Sequence, residues 1–299
     1  MQALIGLLRT MRPKQWTKNV IIYAGIVFDG QLLNLQSLFI VTVSFVLLCL
    51  SASTVYIIND LVDIERDRQH PKKRKRALPS GQLPIWLAVV AAAAFPVFSI
   101  GASLLYSPRF AIILFIYIVM NVCYSLYLKH IVLLDVLTIT SGYVLRVAGG
   151  VFIIEVAKFS PWLYALAALL ALFLAISKRR QELVILGDSA PDVRPIFRHY
   201  NLPLLDEMLR IVTTSTLIAY ILYTIEAPSR LLAGTNLALT TVPFVMYALF
   251  RYLYLIHVKG EGSAPDEVVL RDRPLQISIL LWSVTFVVIL YLVPQAAPA

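Results

Sequence analysis

Residues 37–68 read SLFIVTVSFVLLCLSASTVYIINDLVDIERDR, and the stretch changes character halfway. From Ser37 to Ile58 there is no charged side chain. That run is long enough to cross a bilayer as a helix, which takes about 20 residues. From Asn59 to Arg68 six of ten residues are charged, four of them acidic. An apolar span that ends in a dense polar run is the unit from which the rest of the chain is read.

Apolar runs of similar length recur near 16–33, 84–106, 109–128, 131–150, 160–178, 209–227, 236–256 and 275–293. Hydrophobic residues make up 59% of the 299, and charged residues 14%. A soluble globular domain carries about 25% charged residues. The mean hydropathy is +0.79. A soluble enzyme, a disordered chain and a collagen-like chain are therefore excluded. The expected fold class is all-α, a polytopic membrane protein of nine transmembrane helices in a single domain over residues 1–299. The first span is the most polar, with Lys18, Asn19 and Asp29 inside it, and the fifth holds Asp135 and Arg146. Cys49 and Cys123 fall in apolar runs and read as buried free thiols, not a disulfide framework. No cleavable signal peptide is expected, because Arg9, Arg12 and Lys14 follow only a short apolar stretch.

The formal net charge is +9, and the basic residues sit in short loops, which argues for anionic membrane partners and against nucleic acid. Cytoplasmic loops of membrane proteins concentrate Lys and Arg. With the N-terminus cytoplasmic, the inside segments hold 4, 7, 1, 6 and 3 basic residues, 21 of the 26. The outer side holds Arg109, Lys158 and Arg230. The expected orientation places the N-terminus inside and the C-terminus outside a bacterial-type cytoplasmic membrane. Thirteen of the 17 acidic residues fall on the same inner face. Topology needs only the bases, so both signs together point to a polar site facing the cytoplasm.

Asn59, Asp60, Asp63 and Asp67 are the candidate centre of that site. With Asp60 at zero on a helical wheel, Asp67 falls at roughly −20°, Asp63 at roughly −60° and Asn59 at roughly −100°. Clustered carboxylates repel unless a cation joins them. Hard oxygen ligands suit Mg²⁺, which keeps waters and bridges to substrate phosphates. The expected metal ligands are thus Asn59, Asp60, Asp63 and Asp67, with the three aspartates catalytic. The basic run that follows, with Lys73 and Arg76, offers phosphate ligands beside Arg68.

This segment, Asn59-Asp-x-x-Asp63-x-x-x-Asp67-Arg68, resembles the first aspartate-rich motif of the UbiA superfamily of intramembrane prenyltransferases. Further blocks are similar to its decaprenyl-phosphate 5-phosphoribosyltransferase branch. They are Arg12-Pro-Lys-Gln15-Trp16-Thr-Lys18-Asn19, Asp67-Arg68-Gln-His70-Pro71-x-Lys73-x-x-Arg76 and Lys129-His130. Tyr143-x-x-Arg146-x-x-Gly149-Gly150, Lys178-Arg179-x-x-Glu182-Leu183 and Leu270-Arg271-Asp272-Arg273 complete the set. The resemblance implies nine helices around a central cavity and a UbiA-like bundle. It implies transfer of a 5-phosphoribosyl group from phosphoribosyl pyrophosphate to a polyprenyl phosphate, with Mg²⁺. The generic family carries a second aspartate motif after the sixth span, where this chain has Lys178, Arg179 and Glu182. Asp188 and Asp192 have the spacing of such a motif, but Pro191 interrupts them and they read as loop.

The candidate phosphate ligands are Lys14, Lys18, Arg68, Lys73, Arg76, Lys129, Arg146, Lys178, Arg179, Glu182 and Arg271. Arg146 lies well inside a span, where a charge is expensive and usually functional. Its position argues for a structural partner such as Glu155 or else for a re-entrant geometry, and Asp135 is expected to pair with a basic residue. Gly149-Gly150 reads as helix packing. Trp16, Trp86, Trp162 and Trp282 fall near span ends, as interface belts do. The four histidines are scattered and form no zinc set. Two alternatives stay open: an aromatic prenyltransferase taking an isoprenyl diphosphate, and a lipid transporter or flippase. A homo-oligomer is allowed, since no soluble assembly domain is present to dictate the state.

Overall fold

The computed structural model describes residues 2–71, 73–154, 160–226, 236–260, 268–269 and 271–292. Expectations that fall on Lys72, Glu155, Lys158, Arg230, Glu261, Asp266 and Glu267 lie outside them. Among the described residues every regular element is helical. The α-helices are α1 (Gln2–Met11), α2 (Ala24–Phe28), α3 (Leu35–Val62), α4 (Ile64–Gln69), α5 (Ile85–Leu104) and α6 (Pro108–Leu126). They continue as α7 (Leu134–Ile153), α8 (Pro161–Leu186), α9 (Ala190–Val193), α10 (Leu202–Glu226), α11 (Val242–His257) and α12 (Arg273–Tyr291).

The long helices start where sequence chemistry permits. Asn34 caps α3, its side chain accepting from the amides of Gln36 and Ser37. Ser107 caps α6 and Ser160 caps α8, each followed directly by a proline in the first turn. Asp272 caps α12 the same way, by accepting from Leu275 N. Proline is tolerated there because its missing N–H would have had no partner. Gly187, at φ 50, ends α8.

Eight segments among the described residues are long and apolar enough to cross a membrane, and the sequence reading expected nine. The difference lies at 16–33. There the chain forms a 3₁₀ helix over Pro13–Tyr23 and then the short α2. A 3₁₀ helix rises about 2.0 Å per residue, so the two pieces together advance about 30 Å. That is the reach of a span without one continuous α-helix. The 188–192 stretch, expected as loop, is a 3₁₀ turn followed by the one-turn α9. Cys49 is buried as expected, whereas Cys123 is exposed. A thiol on a spanning helix is apolar enough to face lipid.

The chain divides into two units. One gathers Met1–Val27, Gln31–Leu128 and Leu145–Val156, and the other Phe28–Gly30, Lys129–Val144 and Ala157–Ala299. In the first, α5 packs along α3, α6 packs on both, and α1 and the 3₁₀ helix lie against α3. Its core is apolar, with Ile22, Ile26, Leu48, Phe110 and Leu114 almost fully buried. Gly150 lets the 3₁₀ helix approach α7: a side-chain carbon there would collide with the Ile22 carbonyl oxygen. In the second unit α8 packs along α10, and α11 pairs with α12. Phe173, Ile176, Phe197, Leu205 and Leu209 form the middle of its core.

Candidate active site

In the first unit α3 carries Asp60 on its last turn, and the helix breaks at Asp63 (φ −91°, ψ 6°) before α4 resumes with Asp67. The single continuous wheel over residues 59–67 is therefore replaced by two helices with a corner at Asp63. Asp60 and Asp67 still come together, because one guanidinium holds both. Arg76 Nη1 donates to Asp60 Oδ1 at 3.2 Å and to Asp67 Oδ2 at 2.7 Å. Arg12 Nη2 donates to Asp60 Oδ1 at 2.5 Å, and Lys73 Nζ stands 3.6 Å from Asp67 Oδ1. Both carboxylates are buried, Asp60 at 3% and Asp67 at 1% exposure. Asn59 and Asp63 are half-buried beside them.

Arg12 has no place among the sequence candidates for phosphate binding, yet it is the shortest contact in this cluster. It sits in the left-handed region (φ 54°, ψ 62°) between α1 and the 3₁₀ helix. Such a conformation costs a non-glycine residue about 1–3 kcal/mol and persists only when its surroundings hold it. Here Asp60 holds the guanidinium, and the Tyr56 ring lies 5.0 Å beneath it. Arg68 turns away to the exposed Glu65 at 2.6 Å. Lys14 is exposed and Lys18 half-buried on the 3₁₀ helix.

Deeper in the same unit, Arg146 is buried at 8% exposure. Its Nε donates to Asn19 Oδ1 at 2.8 Å and its Nη2 to the Tyr117 hydroxyl at 2.7 Å. The Asn19 amide in turn donates to Cys49 Sγ. Glu155, the partner expected from the sequence, lies outside the described residues. Asn19 is the polar residue that made the first span look weak, and it is one of the groups that receive this arginine.

The second unit builds its own polar cluster where α7 begins and α8 ends. Arg179, at 2% exposure, donates from Nε to Asp135 Oδ2 at 2.8 Å and from Nη1 to Glu182 Oε2 at 2.9 Å. Asp135 thus finds the basic partner expected of it. Arg194 reaches the same Glu182 oxygen at 3.3 Å. The Tyr200 hydroxyl donates to Asp135 Oδ1 at 2.7 Å and accepts from Leu133 N at 2.9 Å, with Leu133 at φ 67°. Burial, followed by the hydrogen bond to Asp135, pushes the Tyr200 phenol up to about 12. Arg179 is thus engaged with carboxylates inside the protein, while Lys178 is exposed and Lys129 half-buried. Arg271 is exposed, and its neighbour Asp272 forms a bidentate pair with Arg251 at 2.8 and 3.1 Å.

Among the described residues no group of three or more His, Cys, Asp or Glu converges as a protein cage for a metal. Mg²⁺ does not need one, since it commonly takes one or two carboxylates and completes its shell with water and substrate phosphate. Asp60 and Asp67 supply two. Asp67 Oδ1 is buried and accepts no hydrogen bond, with the Lys73 ammonium 3.6 Å away, so it keeps a lone pair to offer. The donor set fits a divalent cation that shares its coordination with a phosphate ligand.

The chain is similar to known proteins over nearly its whole length. Residues 20–284 match the UbiA prenyltransferase family. The decaprenyl-phosphate phosphoribosyltransferase of Corynebacterium glutamicum is 32% identical, over 97% of this chain and 88% of the relative. That of Mycolicibacterium smegmatis is 33% identical, over 93% of this chain and 90% of the relative. Among solved structures, a UbiA homolog from Archaeoglobus fulgidus bound to GPP and Mg²⁺ superposes with a TM-score of 0.69. It is 20% identical and covers 95% of this chain and 99% of its own.

Proposed function

The chain belongs to the UbiA prenyltransferase family, and from that premise we propose that it transfers a 5-phosphoribosyl group. The donor is phosphoribosyl pyrophosphate, the acceptor a decaprenyl-type polyprenyl phosphate, and pyrophosphate is released. One observation carries the choice of reaction within the family. Where the generic motif would place a second set of aspartates, this chain builds a cluster around Arg179 and Arg194 with Asp135 and Glu182. Such a cluster is already neutralised by its own arginines and offers a second divalent cation little, which favours a donor other than an isoprenyl diphosphate. The names carried by the full-length relatives support the same reading.

In the mechanism Asp60 and Asp67, with Asp63 and Asn59 beside them, would hold a Mg²⁺ ion, which would supply neutralisation of the charge on the departing pyrophosphate. Arg12, Arg76 and Lys73 stand around those carboxylates and take the pyrophosphate oxygens, Arg as a bidentate fork and Lys as a point charge. In the same unit Lys14 and Lys18 supply further cations for phosphate, and Lys129, Lys178 and Arg271 are the candidate phosphate ligands of the second unit. The C1–O bond to pyrophosphate breaks as an oxygen of the polyprenyl phosphate bonds to C1 from the opposite face. That oxygen is already anionic at neutral pH, so no general base is required. Rate enhancement then comes from positioning and fixed charge. In the same reading the N-terminus and the site face the cytoplasm and the C-terminus faces outside.

The test uses purified protein in detergent with Mg²⁺, labelled phosphoribosyl pyrophosphate and polyprenyl phosphate. The expected result is labelled lipid in the organic phase, abolished by Asp60→Ala and by a chelator. No labelled lipid, together with product from an isoprenyl diphosphate and an aromatic acid, would move the chain to prenyl transfer. Neither product would reopen a transport function.

A further inference from the structure

The two carboxylates at the centre of the site are not waiting open. Arg76 bridges Asp60 and Asp67, Arg12 closes on Asp60, and Lys73 stands over Asp67. Three cations face these two carboxylates, with Asp63 beside them, so the carboxylates are already neutralised and a bare divalent cation gains little from them. The layering is also one-sided. The acid side chains are 5% and 1% exposed, whereas those of Arg12, Arg76 and Lys73 are 33%, 35% and 43% exposed. A ligand arriving from solvent meets the cations first.

We propose that Arg12 and Arg76 form a transferable clasp that makes metal binding depend on phosphate. This rests on the reading above that the site takes pyrophosphate with a divalent cation. When pyrophosphate arrives, its oxygens draw the two guanidiniums off the aspartates, since a phosphate offers the same bidentate geometry with more charge. Asp60 Oδ1 and Asp67 Oδ2 are then released to the cation. Asp67 Oδ1, which accepts no hydrogen bond and faces the Lys73 ammonium at 3.6 Å, is the first oxygen open to it. Arg12 moves on a long side chain from its hinge position at φ 54°, and Arg76 from the loop between α4 and α5. Neither motion requires a helix to shift. The clasp keeps the two buried carboxylates neutralised in the empty enzyme, which would otherwise repel one another. Because binding is linked, pyrophosphate must gain from the cation by the factor that the cation gains from pyrophosphate.

The experiment is Mn²⁺ titration of the full-length protein in detergent, without acceptor lipid, alone and with saturating inorganic pyrophosphate. Wild type is expected to bind Mn²⁺ at least about tenfold more tightly with pyrophosphate, inside the usual range of coupling. Arg76→Gln is expected to bind Mn²⁺ alone about tenfold more tightly than wild type, and pyrophosphate alone more weakly. Arg12→Gln, on a different element and about equally exposed, should move both constants in the same directions and guards against a folding defect in the first variant. The crossed change is the signature, because a purely structural arginine would weaken both ligands together. Mn²⁺ affinity that is unchanged or weaker in both variants overturns the clasp. If wild type binds no Mn²⁺ even with pyrophosphate, while Asp60→Asn behaves identically, the metal–pyrophosphate reading of the site itself fails.

Discussion

Tyr200 and Arg179 divide Asp135 between them, one on each carboxylate oxygen. The pair is fully buried, and its members are not equivalent in what their loss leaves behind. Asp135→Ala removes the fully buried partner of Arg179 and leaves it the partly exposed Glu182, and breaking a buried ion pair costs up to about 3–5 kcal/mol. Tyr200→Phe keeps the ion pair and leaves only Leu133 N and one carboxylate oxygen short of a partner, at about 1–3 kcal/mol. Unfolding in detergent should rank the variants in that order, and equal losses would mean that the ion pair is not what holds this end of α8. Tyr200 adds a pH signature. Its folded pKa of about 12 lies above the ordinary phenol value near 10, so the unfolded chain gives up the proton first. Stability should therefore fall as pH rises from 10 towards 12, and Tyr200→Phe should lack that component. Little of this cluster was legible in the sequence. Asp60 and Asp67 are seven residues apart, so spacing alone put them on one side of a helix. Arg12 lies 48 residues from Asp60, and Asp135 lies 44 from Arg179. Nothing local in either segment encodes those meetings.

At the scale of elements, the difference between expectation and structure is concentrated in the 3₁₀ helix Pro13–Tyr23. Hydropathy marks residues 16–33 as apolar enough for a span and says nothing of the backbone path. That path is fixed by contact: Gly25 and Gly150 meet backbone to backbone, with 3.0 Å between the position of a Gly25 side-chain carbon and the Gly150 carbonyl carbon. The reading of Gly149-Gly150 as a packing site was available from the sequence, but its partner was not. The two helical glycines Gly150 and Gly101 separate packing from propensity. Gly150→Ala places a methyl against the Ile22 carbonyl oxygen and should destabilise the protein by pushing the 3₁₀ helix away. Gly101→Ala, inside α5, meets no atom within 4 Å and should stabilise by up to about 1 kcal/mol through helix propensity. Unfolding temperatures of the two variants on opposite sides of wild type are the expected result. A neutral Gly150→Ala would mean that the close approach has slack. The corner at Asp63 was likewise hidden, because a continuous helix and a broken one both leave Asp60 and Asp67 within reach of one arginine.

For the whole molecule, composition decided the class, and charge distribution carries the orientation. Basic residues gather at the N-terminus and in the turns that follow the second, fourth, sixth and eighth expected spans, and this asymmetry is what membrane insertion reads. The count of spans was less secure, because it depends on a segment whose reach comes from two short helices. Orientation can be tested across a single span. Arg74 and Arg109 are both exposed and lie on either side of α5 in the sequence. In a Cys123→Ser background, which removes the exposed native thiol and leaves the buried Cys49, each is replaced in turn by cysteine. A membrane-impermeant maleimide on intact cells should label Arg109→Cys and spare Arg74→Cys, and inverted vesicles should reverse the pattern. Labelling of both from one side would mean that α5 does not cross. The opposite pattern would keep the bundle and turn the Asp60–Asp67 cluster away from the cytoplasm, where the proposed donor, phosphoribosyl pyrophosphate, could not reach it. The orientation therefore bears on the reaction as directly as the carboxylates do: a soluble, highly charged donor and a lipid acceptor meet only if the clasp faces the compartment that holds the donor.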